Sequence, residues 1–397
     1  MPVVYSKVIP YYQNLLTWVN YVINILITYH FQIDSHIQTI LAKLRPMGTV
    51  QKLADEVERG LAGALPGLRK TVVGKLALAV GAMIEGQTPN TVELANLLPL
   101  KTERQDMREQ WLRRLLKNPL LLAAAVMEPF AREALAKAAR NGQTVLLSMD
   151  QTDLGDRMAV LMVALRVGDR ALPLAWLAEE GPANIGFEGQ RKLLEHVMAW
   201  LPEEAEVLLS ADRFYPSADL FAWLGCHGWG YRLRLKGNLL ADPGHGDETT
   251  TGGLARGVAE RYLPGVRLFA QGVMTSLGIL HEAGHPEPWI IAMDCAPTRA
   301  AVLDYAARWA IEPMFSDFKG RGFELEDSQL GHADRLERLL LVMSLAMHWC
   351  VRVGQDDALN RPTPLEKKRK RKATRTTGAS GSSTAARCHG SHGACAA

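Results

Sequence analysis

Apolar residues recur at three- and four-residue spacing from Val50 to Arg140, and the run is punctuated at Pro66-Gly67, Pro89, Pro99 and Pro119. That period belongs to helices and the punctuation to their ends, so an all-helical region is predicted. Asn90-Thr-Val-Glu93 and Thr102-Glu-Arg-Gln105 both read as capping boxes, opening short helices through Leu98 and through Leu116. Two short helices around a tight turn suggest a helix-turn-helix. Its second helix gathers Met107, Trp111, Leu112, Leu115 and Leu116 on one side and sets Arg104 and Arg108 one turn apart on another, as DNA contact would need. The solvated face of a plain helical bundle gives the same pattern.

From Thr144 the period becomes strand-like. Thr144 to Asp150 (TVLLSMD) is a buried strand ending on Asp150, and Met158 to Val167 and Ala171 to Leu177 form a hairpin around Gly168-Asp169-Arg170. A helix around Gln190 to Leu201, a strand Ala205 to Asp212, a helix Ser217 to Cys226 and a strand Tyr231 to Lys236 follow. This alternation predicts an α/β fold, a mixed sheet flanked by helices. Residues 305–319 and 335–352 supply further helices. Between Gly237 and Thr298 a Gly- and Thr-rich stretch with candidate strands at Val266 to Ala270 and Trp289 to Asp294 reads as a β-rich insertion.

Composition adds bounds. The 397 residues exceed one ordinary core, so two or three domains are expected. Residues 361–397 hold nine Lys or Arg and one Glu, so against a chain total of +3 the preceding 360 residues carry a net −5. That balance excludes a wholly basic nucleic-acid coat protein, and the tail reads as disordered, its KKRKRK run suited to weak contact with DNA phosphates. Five scattered cysteines make no disulfide scaffold and suit a reducing cytoplasm. Tyr11 to His30 is apolar but carries Gln13, Asn14, Asn20 and Asn24, which argues against a membrane span; residues 1–46 read as an extension ahead of Met47. Cys388, His389, His392 and Cys395 have the composition of a zinc set at cramped spacing.

The candidate chemistry is acidic. Asp150 and Asp212 each end an apolar strand, which puts both carboxylates at the carboxyl edge of the sheet, where open α/β folds place ligands. Neighbouring carboxylates call for a cation, and oxygen donors suit one or two Mg²⁺ ions. Asp153 and Asp156 are outer-sphere candidates or turn residues. Further on, Tyr305, Arg308, Glu312 and Lys319 fall within a helical stripe roughly 60° wide. Pro313 either kinks this helix or marks a fresh first turn.

These residues carry a resemblance. Tyr305, Arg308, Glu312 and Lys319 match the Tyr-x2-Arg-x3-Glu-x6-Lys block of bacterial insertion-sequence transposases with an Asp-Asp-Glu site, specifically the insertion-sequence-4 branch. SMDQTD (Ser148 to Asp153) and ADRFYPSADLFAWL followed by WGYRLRLKGN are similar to the family's two upstream blocks, with Phe214 where relatives commonly carry Gly. The resemblance spans roughly residues 50–350.

The resemblance implies a ribonuclease H-like catalytic domain at 141–353, with the β-rich insertion at about 237–298. A helical DNA-binding region at 47–140 precedes it, and a basic disordered tail follows at 354–397. It implies Asp150, Asp212 and Glu312 as catalytic metal ligands for two Mg²⁺ ions, with Mn²⁺ able to substitute, and Tyr305, Arg308 and Lys319 as phosphate-holding groups. Arg104, Arg108, Arg213 and Trp289 are further candidate DNA contacts, Trp289 reading either as a core aromatic residue or as one that stacks on a displaced base. The expected function is metal-dependent DNA cleavage and strand transfer at terminal inverted repeats, by a cytoplasmic, nucleoid-associated bacterial enzyme that pairs as a homodimer on DNA and does not engage a membrane. The alternatives are a catalytically silent DNA-binding relative and a metal-dependent nuclease without joining activity.

Overall fold

In the computed structural model, which describes residues 49–360 apart from 169, 183, 245–247, 283–285 and 321, helices come first. They are α1 (Thr49–Ala64), α2 (Lys70–Gly86), α3 (Thr91–Leu97), α4 (Gln105–Leu116) and α5 (Ala123–Ala138). The crossing of α1 and α2 is close because Gly81 has no side chain: a Cβ there would stand 2.9 Å from both Ala54 N and Val50 O. Asn90 caps α3, its side chain accepting from Val92 N at 3.0 Å, and Glu93 accepts from Thr88 Oγ1 at 3.1 Å. The next helix starts later than expected. Thr102 Oγ1 accepts from Arg104 N, and α4 opens at Gln105.

Three long strands follow, β1 (Val145–Leu154), β2 (Met158–Val167) and β3 (Arg170–Glu180), then α6 (Phe187–Trp200), β4 (Val207–Ala211), α7 (Ala218–Cys226) and β5 (Gly230–Arg234). Next come β6 (Leu240–Asp242), β7 (Thr249–Thr250), α8 (Thr251–Ala255), β8 (Glu260–Leu268), β9 (Val273–Leu280) and β10 (Trp289–Met293). Helix α9 (Arg299–Leu303), a 3₁₀ stretch (Asp304–Ala310), α10 (Ile311–Phe318), a second 3₁₀ turn (Leu325–Ser328) and α11 (Ala333–Asn360) close the described chain.

The ten strands form one mixed sheet in the order β3-β2-β1-β4-β5-β10-β9-β8-β6-β7, so the fold is α/β. Strands β1 to β3 run antiparallel, β4 is parallel to β1 and β5 to β4, and every later pairing is antiparallel. The strands of residues 237–298 continue this sheet beyond β5, β10 pairing directly with it. The strand expected at Val266 to Ala270 is the end of the longer β8, and β9 pairs along it. Apolar residues of β2 are buried along nearly its whole length, and α5 and α6 pack on β2 and β3 while α10 packs on β1 and β3.

Residues Thr49–Ser344 form one compact unit, and the described part of a second begins at Leu345 within α11. That helix runs to Asn360, past the boundary expected at Val353. Tyr11 to His30, the rest of residues 1–46, Met47, and the tail from Arg361 with its basic run and Cys388, His389, His392 and Cys395 lie outside the described residues. Among the described residues no helix is long and apolar enough to cross a membrane.

Candidate active site

Parallel pairing of β1 and β4 runs from Val145↔Val207 to Met149↔Ala211, so Asp150 and Asp212 are the next residues on neighbouring strands. β4 stops there. β1 does not: it continues through Leu154 paired only to β2, with Asp150 opposite Met162, so Asp150 lies mid-strand rather than at a strand end. The physical reason is that the hairpin partner is longer than the parallel one. Both carboxylates line a groove of about 740 Å³, together with Asp153, Asp156, Phe214 and Tyr215.

Asp150 Oδ1 accepts from Tyr215 OH at 3.0 Å and from Gln151 N at 3.0 Å. Its Oδ2 accepts from Arg308 at 2.9 Å. Burial pushes the Asp150 carboxyl above the usual carboxylate range; Arg308 pulls against this, and the like charge of Asp212 adds to it. Tyr215 also donates its backbone N–H to the main-chain carbonyl of Asp212, at 3.2 Å, so one residue ties the Asp150 carboxylate to the turn that Asp212 opens. Neither link was legible beforehand, because nothing in ADRFYPSADL marks the phenol as facing the sheet.

The third acid arrives from α10. Arg308, buried in the 3₁₀ stretch, donates from one nitrogen to Asp150 and from another to Glu312 Oε1 at 2.7 Å, while its Nε donates to Tyr305 OH at 2.8 Å. Tyr305 OH in turn donates to Asp212 Oδ1 at 3.2 Å. One guanidinium and one phenol therefore connect Asp150, Asp212 and Glu312. Burial works against the Arg308 charge, but Tyr305, Asp150, Glu312 and Asp212 more than reverse it and hold the pKa above the ordinary guanidinium value. Burial raises the Tyr305 phenol, which stays protonated and able to donate.

The four-residue stripe is not one helix face. Residues Asp304–Ala310 are 3₁₀ and α10 begins at Ile311, with Pro313 in its first turn, where a missing N–H costs no helical bond. Lys319 lies past the end of α10 with non-helical backbone (φ −87°, ψ −119°), and its Nζ donates to Asp153 O at 2.7 Å and faces Glu326 at 3.3 Å. The structure brings Tyr305, Arg308 and Glu312 together and sends Lys319 to the neighbouring turn.

The other candidates divide. Arg213 pairs with Glu287 at 2.7 Å, and Arg234 stands 3.5 Å from the same carboxylate and 3.8 Å from Asp212. Trp289 packs edge-on against Tyr305 and Trp309, with ring centroids 5.3 and 5.4 Å apart, so it supports the site from behind Tyr305. Arg104 pairs with Asp106 at the exposed start of α4. Arg108 is engaged inward: its guanidinium donates to the carbonyls of Asn96 in the last turn of α3 and of Leu98, Leu100 and Thr102 in the loop after it, instead of standing on a DNA-reading face.

The donor chemistry at the groove, carboxylate oxygens with no sulfur or imidazole, fits a hard divalent ion. Asp150 and Asp212 are placed to supply it. Glu312 is held across Arg308 from Asp150, so among the described residues no group of three or more His, Cys, Asp or Glu is arranged to hold a metal ion. No protein-family model matches this chain, nor does any curated protein sequence.

Proposed function

We propose that this chain is a DNA transposase of the Asp-Asp-Glu kind, which binds its element's terminal inverted repeats and catalyses metal-dependent strand cleavage and strand transfer. The observation that carries this reading is the convergence of Asp150 and Asp212, adjacent in register just past the last pair of the β1–β4 parallel ladder, with Glu312 joined to them through Arg308 and Tyr305. The order β3-β2-β1-β4-β5, antiparallel over the first three strands and parallel thereafter, supports a ribonuclease H-like fold for the part that carries the acids. The helices α1 to α5 are the proposed DNA-binding region. A homodimer on paired element ends, in the bacterial cytoplasm, completes the reading.

Asp150 and Asp212 would hold Mg²⁺, with Glu312 added once it parts from Arg308. Bound Mg²⁺ supplies Lewis-acid activation of a water or a 3′-hydroxyl and stabilisation of the leaving oxygen in an in-line displacement. The chain's own groups do the rest. Tyr215 and the Gln151 N–H orient Asp150, and Tyr305 orients Asp212. Arg308 offers a planar fork that a phosphate can engage in two places, in competition with the two carboxylates it now binds. Lys319 offers a point charge beside Asp153.

One observation favours the silent relative: Arg308 engages Asp150 and Glu312, and no three-acid ligand set stands among the described residues. Purified full-length chain incubated with Mg²⁺ and labelled duplexes copied from the DNA flanking its reading frame separates the readings. Cleaved and joined products are expected, both lost on chelation and on Asp212→Ala while duplex binding persists. Duplex binding by the folded wild-type chain with no cleavage would establish the silent relative, and nicks without joined molecules would establish a nuclease.

A further inference from the structure

Glu287 has no part in the chemistry above, yet its carboxylate lies beside Asp212. It stands two residues before β10, which pairs with β5, and β5 ends on Arg234. One of its oxygens, Oε2, meets two guanidinium groups: Arg213 donates to it at 2.7 Å, and Arg234 stands 3.5 Å away. Both arginines are placed by the strands next to the acids. Arg213 follows Asp212 directly, and Arg234 lies 3.8 Å from the Asp212 carboxylate. Ion pairs this exposed contribute little to stability, because water competes for the charges and Glu287 keeps 58% of its side-chain surface. The arrangement matters more for a ligand, since an oxyanion between two planar forks is how arginine holds a phosphate.

Resting on the function proposed above, we infer that Glu287 is a built-in competitor of DNA, its carboxylate occupying on Arg213 and Arg234 the seat that a backbone phosphate of the bound duplex takes. The charge around the groove calls for such an exchange. Asp150, Asp153, Asp156 and Asp212 line it, so a phosphodiester approaching Asp212 is repelled unless cations at the rim are released to answer it. In the free chain those cations are engaged: Arg308 by Asp150 and Glu312, Lys319 by Glu326, and Arg213 and Arg234 by Glu287. Unlike Asp150 and Asp212, Glu287 can leave by rotation about its own side-chain bonds, which carries its carboxylate into water. A phosphate brings two unesterified oxygens, one for each guanidinium, where Glu287 shares a single oxygen between them. Exchange therefore conserves both charge-assisted contacts. Parting Glu287 from the arginines weakens binding to every duplex alike, because a phosphate carries no sequence.

The test follows binding of a short fluorescent duplex of arbitrary sequence to the full-length chain by anisotropy, with EDTA present so that neither cleavage nor a cation enters. Salt is held at ~0.15 M, where charges farther off than about 8 Å are screened. Glu287→Gln is expected to tighten binding about 2- to 5-fold, the range that parting an exposed ion pair covers. Glu282→Gln, which removes the same charge from the same loop but faces Arg299 at 3.3 Å, leaves binding at the wild-type value. In a chain carrying Arg213→Gln the gain from Glu287→Gln shrinks, and with Arg234→Gln added it vanishes, because no guanidinium is left to release. No gain in Glu287→Gln, an equal gain in Glu282→Gln, or an undiminished gain in the Arg213→Gln chain overturns the competitor. If the wild type cleaves and Glu287→Gln shows no gain, this inference alone fails. The expected pattern of gains in a chain that never cleaves duplex DNA with Mg²⁺ overturns the transposase reading and leaves the competitor standing.

Discussion

At the scale of single residues, Arg308 is the group with the most to hold. Its side chain is 6% exposed, and its three donor nitrogens reach Asp150, Glu312 and Tyr305 at once, which a lysine ammonium on a flexible stem cannot reproduce. Burying a charge is costly, and the carboxylates offset that cost only while the geometry is kept. Asp150 shows the other side of the same balance: burial leaves its folded pKa above the ordinary value of about 3.9. The ionised form, which cation binding requires, is therefore lost at a higher pH than for an exposed aspartate as the solution is acidified. Tyr215→Phe removes a hydrogen bond that favours the carboxylate, so the acid limb of single-turnover cleavage should move to higher pH; an unmoved limb, or one displaced downward, contradicts this role. Asp150 and Asp212 were legible in the sequence because each ends a run of apolar residues. Tyr215 was not, since an isolated aromatic residue after a strand carries no sign of where its hydroxyl points.

At the scale of elements, the helical region shows how a basic residue can mislead. Spacing placed Arg104 and Arg108 one turn apart on one helix, but the Arg108 guanidinium satisfies carbonyls in the last turn of α3 and just past it, where the helix end has run out of N–H partners. Arg108→Ala should therefore cost about 1–3 kcal/mol in urea unfolding, the range for carbonyls stripped of a charged donor. The salt dependence of DNA binding by the folded fraction should stay as it was. A changed slope at unchanged stability would return Arg108 to the DNA-contacting face. The same limit applies to Tyr305, Arg308, Glu312 and Lys319: their spacing predicts a shared face on any continuous helix, and Pro313 allowed for a break without locating it. Three still meet because the 3₁₀ stretch and the first turn of α10 are adjacent, whereas Lys319 lies beyond the helix end. Strand β1 was read short for a related reason. Gln151 and Asp153 are polar because this end of the strand pairs on one side only, and hydropathy alone ends a strand where burial ends.

At the scale of the whole described fold, one hydrogen-bonded ladder runs from β3 to β7. The positions of the acids are consequences of its register. Strand side chains alternate in direction, and Asp150 reaches the groove because the fifth pair of the β1–β4 ladder, Met149↔Ala211, comes immediately before it. One residue inserted between Leu146 and Leu147 would turn Met149 toward the groove and Asp150 away from it, or force β1 out of register with the buried β2. Such a variant should lose cleavage and unfold at a lower urea concentration, whereas one residue inserted between the exposed Glu203 and Glu204, in the turn before β4, should leave both near wild type. Length is thus free to change in the turns, while the number of residues from Val145 to Asp150 is as much a part of the site as the aspartate itself.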